Sequence, residues 1–265
     1  MIGPLDFLKN KFPHPRDERI LFDEPTHTYT IDGDSSYTSV TTFNHHLFEQ
    51  FNADLIIKNM MKSKKWKPGH KYWNMSKEEI LAGWEKNRDE AASAGTKMHY
   101  DIECYYNNMD VVNDSIEYQY FVNFTNDFAD LNTRAYRTEW TVFHEELKLA
   151  GSIDMIYENP ADDGKTLLIY DWKRSKEITK TNAWNKCGIV DVVSHLPDTN
   201  YWHYCLQLNT YKAIIEAKYG KKVAGMYLIC LHPDNKNNNY IRIKVADLQD
   251  EVKDLFNHRL MMLKN

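Results

Sequence analysis

Asp171, Trp172 and Lys173 close an apolar run over residues 166–170, so a carboxylate and an amine stand two residues apart at the end of a predicted strand. Side chains alternate along a strand, which puts Asp171 and Lys173 on one side and Trp172 on the other. Upstream, Asp154 ends the motif Gly151-Ser152-Ile153-Asp154 inside a second strand predicted over 147–157. The intervening Glu158-Asn159-Pro160-Ala161-Asp162-Asp163-Gly164 is rich in turn residues and folds the two strands back on one another. Two carboxylates and a lysine then converge. Such a group suits a hard cation like Mg²⁺, which takes oxygen ligands and keeps water that can attack a phosphate.

Other polar residues recur at helical spacing. His99 and Glu103 lie four apart beyond Ala94-Gly95-Thr96 and share a face. His99 reads either as a metal ligand or as a hydrogen-bonded structural histidine, and Gly95 permits close backbone approach. In a helix predicted over 201–219, His203, Gln207 and Tyr211 form one stripe that either orients water or a phosphate, or serves packing. Glu139, in a strand predicted over 137–143, faces either the site or solvent. Arg174, Lys176 and Lys180 either hold phosphates or decorate a loop. Lys58, Lys62, Lys64, Lys65, Lys67 and Lys71 interleave with Trp66, Tyr72 and Trp73, and no acid lies between Asp54 and Glu78. Lysines among rings suit a strand of nucleic acid, with amines on phosphates and rings on bases. A solvated loop is the plainer alternative.

Positioning these groups requires strands and helices in alternation. Thr28-Tyr29-Thr30-Ile31, an Asp32-Gly33 turn and Tyr37-Thr38-Ser39-Val40 read as a hairpin. Phe43, Leu47, Phe51, Leu55 and Ile56 recur at helical spacing, and Ser76-Lys77-Glu78-Glu79 is a capping box that starts a helix through Trp84. Tyr118, Phe121, Phe124 and Phe128 give the helix predicted over 115–131 a core-facing stripe. Residues 184–200 lack a period; strands over 223–231 and 240–245 and a helix over 246–263 close the chain.

With 265 residues, 42% of them hydrophobic, the chain can bury one substantial core and an accessory segment. Prolines and charges interrupt the first twenty residues, and no apolar stretch approaches the roughly 18 residues of a membrane span, so a soluble intracellular protein is expected. Cys104, Cys187, Cys205 and Cys230 are scattered without a CxxC pair, so reduced thiols are expected. A net charge of -5 argues against a basic coat, yet leaves the field of a local cleft open. Lysine outnumbers arginine, and asparagine and tyrosine abound, consistent with an A+T-rich genome of a virus or phage.

Taken in order, Gly95-Thr96-Lys97-Met98-His99, Gly151-Ser152-Ile153-Asp154, Asp171-Trp172-Lys173 and Gln207-Leu208-Asn209-Thr210-Tyr211 resemble the motifs of the PD-(D/E)XK nuclease superfamily. The resemblance is to its RecB-like and lambda-exonuclease-like branch, which includes the mitochondrial genome maintenance exonuclease, and it covers residues 91–219. Arg174 stands where members of the branch often carry Thr, and the clustered cysteines of the iron–sulfur members are not matched, so no cluster is expected.

The resemblance implies an α/β (α+β) fold, a mixed central sheet flanked by helices, with a restriction-endonuclease-like α-βββ-α-β core over 91–265. Residues 1–90 would form a hairpin and helical accessory segment, able to arch over DNA. It further implies a deoxyribonuclease dependent on Mg²⁺ or Mn²⁺. His99, Asp154, Asp171 and the Trp172 carbonyl would hold the metal, Lys173 would assist, and Gln207 and Tyr211 would position the nucleophile or the backbone phosphate. The expected partner is DNA, single-stranded or with a free end, met by Lys62, Lys64, Lys65, Trp66, Arg174 and Lys176, with no membrane involved. An exonuclease in replication, recombination or repair is the leading expectation. The alternatives are an endonuclease of the same fold and a nuclease-fold DNA-binding or assembly subunit without turnover.

Overall fold

The computed structural model describes residues 5–264. In chain order these form α1 (Phe7–Lys11), β1 (Ile20–Asp23), β2 (Thr28–Ile31), β3 (Thr38–Ser39), α2 (Val40–His45), α3 (Ala53–Lys62), α4 (Lys77–Tyr106), α5 (Ile116–Asp127) and α6 (Ala129–Asn132). There follow β4 (Ala135–His144), β5 (Leu149–Glu158), β6 (Leu167–Lys173), α7 (Asn200–Lys218), β7 (Val223–Cys230), β8 (Ile241–Lys244) and α8 (Gln249–Lys264). None of these helices is long and apolar enough to cross a membrane.

The chain divides into two compact units, one of residues 50–97 and one of the remainder. The larger unit is mixed α+β and is built on a six-stranded mixed sheet in which β3, β5, β6, β7 and β8 are successive neighbours and β4 also pairs with β5. β4 runs antiparallel along nearly the whole of β5. The opposite edge of β5 is shared: β3 pairs with it in parallel at Leu149 and Ala150, and β6 pairs antiparallel from Met155 to Glu158. Among the described residues no strand pairs with that edge between Ala150 and Met155. The sheet therefore carries a notch at Gly151-Ser152-Ile153-Asp154.

Local chemistry fixes the turn that folds β6 back on β5. Asn159 accepts from the Ala161 amide and donates to Thr166 Oγ1 at 3.0 Å, while Asp163 and Gly164 take left-handed φ of +58° and +81°. Both faces of the sheet are covered, which explains why β6 reads as one apolar run. Trp140, Ile153, Ile156 and Leu228 pack with α7, α8 and Leu47 and Phe48 on one face. Trp172, Met155 and Tyr170 pack on the other with Met98 and Ile102 of α4 and Phe121 and Phe124 of α5.

In the smaller unit the Ser76 capping box is formed reciprocally: the Glu79 amide donates to Ser76 Oγ and the Ser76 amide to the Glu79 carboxylate. Phe51, Trp84 and Tyr72 are in ring contact, and Trp66 meets His70 and Trp73. The helix so started does not end before Gly95. It runs 30 residues, and a Cβ at Gly95 would meet nothing within 4 Å.

The amino-terminal segment also differs from expectation. β2 pairs with β1, not with Tyr37-Thr38-Ser39-Val40, because Thr38 and Ser39 join β5 instead. Residues 50–97 form the smaller unit, and residues 5–49 group with the larger one. Buried Asp17 cements them, bonded to Arg137 at 2.8 Å and to Trp140 Nε1 at 2.9 Å.

Candidate metal centre

Two strand registers create the site. Thr138 faces Met155 and Trp140 faces Ile153, which sets Glu139 opposite Asp154. Met155 faces Tyr170, so the next step of that register sets Asp154 opposite Asp171. Three carboxylates stand in a row across three antiparallel strands. Glu139 has a left-handed φ of +41°, a strained conformation for a non-glycine residue inside a strand. Its Oε2 accepts from Ser152 Oγ at 2.7 Å.

His99 reaches the row from α4. Its Nε2 lies 3.0 Å from the Trp172 carbonyl, which fixes a proton on that nitrogen because a carbonyl only accepts. Nδ1 then faces Asp154 Oδ2 at 3.6 Å and Glu139 Oε1 at 3.7 Å. The ligand atoms of His99, Glu139 and Asp154 all lie within 4.8 Å of one another. Beyond the end of the β5–β6 ladder, the Trp172 amide donates to Asp154 Oδ2 at 2.9 Å, so the carboxylate takes the place of a strand partner. Lys173 Nζ lies 2.6 Å from Asp171 Oδ2 and 4.6 Å from the centre of the Tyr204 ring. That approach is a close charge contact within a buried pair, with Asp171 only 3% exposed.

Side-chain exposure grades the site by depth. It falls from 34% at Glu139 and 29% at His99 to 16% at Lys173, 12% at Asp154 and 3% at Asp171. Burial opposes the charge on His99, but Asp154 and Glu139 outweigh it and lift its pKa to about 9. Burial likewise pushes Asp154 up against the pull of His99, and Asp171 up against the pull of Lys173. For Lys173 the two aspartates prevail over burial and hold the amine charged. Glu103, one turn beyond His99, is pushed up to about 7, first by burial and then by Glu139.

Of the expected ligands, His99 and Asp154 lie together with Glu139, while Asp171 contacts Lys173 and the Trp172 carbonyl contacts His99. Sequence periodicity left Glu139 between site and solvent, and only the β4–β5 register decides. Nitrogen and carboxylate donors fit Mg²⁺ or, with the imidazole, Mn²⁺.

α7 packs against the notch. Tyr211 is 3% exposed, and its ring lies where a Cβ on Gly151 would be, 2.7 Å from Cε1. Gln207 Nε2 donates to the Tyr211 hydroxyl at 3.4 Å, and burial pushes that phenol well up. His203 leaves the predicted stripe, bonding Asp198 at 2.9 Å and stacking on Phe48. Tyr204 replaces it, three residues before Gln207 and seven before Tyr211, a signal the sequence did carry.

The expected nucleic-acid residues part company. Arg174 is bonded to Glu117 at 2.6 Å with both side chains largely buried. Lys176 pairs with Asp234 in the open. Lys62, Lys64 and Lys65 are exposed and form no ion pair among the described residues, while Trp66 is half-buried among rings. Compared with known protein families and with curated proteins, the chain matches none.

Proposed function

We propose that the chain is a metal-dependent deoxyribonuclease with the restriction-endonuclease-like core of the PD-(D/E)XK superfamily. The order α4, β4, β5, β6, α7, β7 supports that core. One observation carries the activity: Glu139, Asp154 and Asp171 in register across three strands, with the Lys173 amine 2.6 Å from the deepest of them. His99, Glu139 and Asp154 would hold Mg²⁺ or Mn²⁺, which when bound polarises a phosphate and lowers the pKa of water.

The rest of the chemistry belongs to the chain. Lys173, fixed between Asp171 and the Tyr204 face, presents a point charge to phosphate oxygens as negative charge develops there. Asp171 keeps that amine charged and aimed. Gln207 and Tyr211 line the notch on the α7 side and orient the scissile backbone. The unpaired lysines over 58–71 favour an exonuclease acting on single-stranded or end-exposed DNA.

End-labelled single-stranded and duplex DNA, incubated with Mg²⁺, Mn²⁺ or EDTA, tests this reading. Metal-dependent shortening is expected, with Glu139→Gln, Asp154→Asn and Lys173→Ala each slowing it by on the order of 10²-fold or more. Undiminished cleavage by any of the three purified variants rejects the site. Efficient nicking of closed circular single strands rejects the exonuclease form.

A further inference from the structure

The connection from β6 to α7 leaves the site at Lys173 and is tied to α7 by side-chain hydrogen bonds. Asn200, the first residue of α7, accepts from the Thr179 amide at 3.0 Å and donates to the Glu177 carbonyl at 2.7 Å. Trp202 Nε1 donates to the Lys180 carbonyl at 3.0 Å, and Lys180 Nζ sits 4.5 Å over the Tyr201 ring. These anchors lie about one helical turn from Tyr204, the ring that meets Lys173.

Asn182 then closes the loop tip. Its Oδ1 accepts from the Trp184 and Lys186 amides, both at 3.0 Å, and its Nδ2 donates to the Lys186 and Asp198 carbonyls. Every polar group of the Asn182 side chain is thus spent on holding the chain that presents Trp184. That indole is 83% exposed, more than any other aromatic side chain among the described residues. A large ring held in water by a pinned loop loses little entropy when a flat partner covers it.

The surrounding charge says what the partner is. Lys173 and Arg174 are held by Asp171 and Glu117, and over residues 175–190 Lys176, Lys180 and Lys186 stand with a single acid, Glu177. Lys180 has no ion pair among the described residues, and the Lys176–Asp234 and Lys186–Glu49 pairs are more than half exposed on each side, so they contribute little and exchange readily for phosphate. A flat apolar ring among exchangeable amines matches a nucleobase on its phosphate chain.

We propose that Trp184 is a stacking platform for an unpaired base of the substrate, which makes the enzyme selective for single strands; this rests on the nuclease reading above. Bases inside a duplex are already stacked and cannot use it.

The test compares wild type, Trp184→Phe and Trp184→Ala for binding in EDTA, with cleavage followed in parallel in Mn²⁺. The probes are an oligothymidylate, the same strand with abasic units, and a blunt duplex. Trp184→Ala should bind oligothymidylate about tenfold or more weakly, with Trp184→Phe much closer to wild type, as expected for loss of one stacked base. Abasic and duplex affinities, and the salt slope, should not move. If wild type cleaves DNA and Trp184→Ala binds oligothymidylate equally well, the platform is overturned while the active site stands. A loss that is equal on the abasic strand also overturns it, as does a change confined to sedimentation, which would assign the indole to a protein contact. Wild type that neither binds nor cuts removes both readings.

Discussion

Asp154 does two jobs that substitution separates. Its Oδ2 accepts from the buried Trp172 amide, and its charge faces His99. Asparagine keeps an accepting oxygen but not the charge; alanine keeps neither. Asp154→Ala should therefore be less stable than Asp154→Asn by about 1–3 kcal/mol, the cost of an orphaned amide, while both lose cleavage. Equal urea midpoints for the two would refute the capping role. At this scale the alternation that joins Asp171 to Lys173 was legible, because period two needs no partner strand. Glu139 was not: its role depends on which residue faces it on β5, and a left-handed φ inside a strand leaves no mark in the residue type.

The coupling between β5 and α7 is the central event at the scale of elements. A Cβ at Gly151 collides with the Tyr211 ring, so Gly151→Ala should cost roughly 1–3 kcal/mol of overpacking. In a Tyr211→Ala background the same change should cost much less, and a double-mutant cycle without such coupling would show that the contact carries no energy. The helical stripe of α7 was readable to within a residue, Tyr204 standing where His203 was expected, since a period of 3.6 admits two neighbouring faces until packing selects one. For the segment over 58–71, composition alone was informative. If Lys62, Lys64 and Lys65 meet phosphates, replacing all three by Ser should lower the logarithmic salt slope of single-strand binding by about 2. An unchanged slope would make the segment a bystander.

For the whole molecule, acid stability depends on a cluster remote from the metal centre. Burial and then Lys218 lower the His144 pKa to about 4, although Glu146 and Glu145 oppose them. Burial pushes Glu145 up, but the paired Arg16 contacts hold it at about 2. Because the folded state disfavours a proton on His144, that stability is complete above the unfolded value near 6.5 and drains away as pH falls toward 4. Glu145 extends the loss from its unfolded value near 4.5 downward. His144→Gln should flatten the decline of unfolding free energy between pH 7 and 4 by on the order of 2 kcal/mol; urea titrations of equal slope for both proteins would contradict this. The mixed helix-flanked sheet was legible from the apolar runs, whereas the division of β5 between β3 and β6 was not, since a two-residue strand such as Thr38–Ser39 has no periodicity to read. That division has an effect on solvation. Where β5 passes from one neighbour to the other, Gly151 and Ile153 are buried and the Tyr211 ring covers Gly151, whereas Ser152 and Asp154 stay partly exposed. Water thus reaches the Asp154 carboxylate at a place where no β3 or β6 pairing has to break.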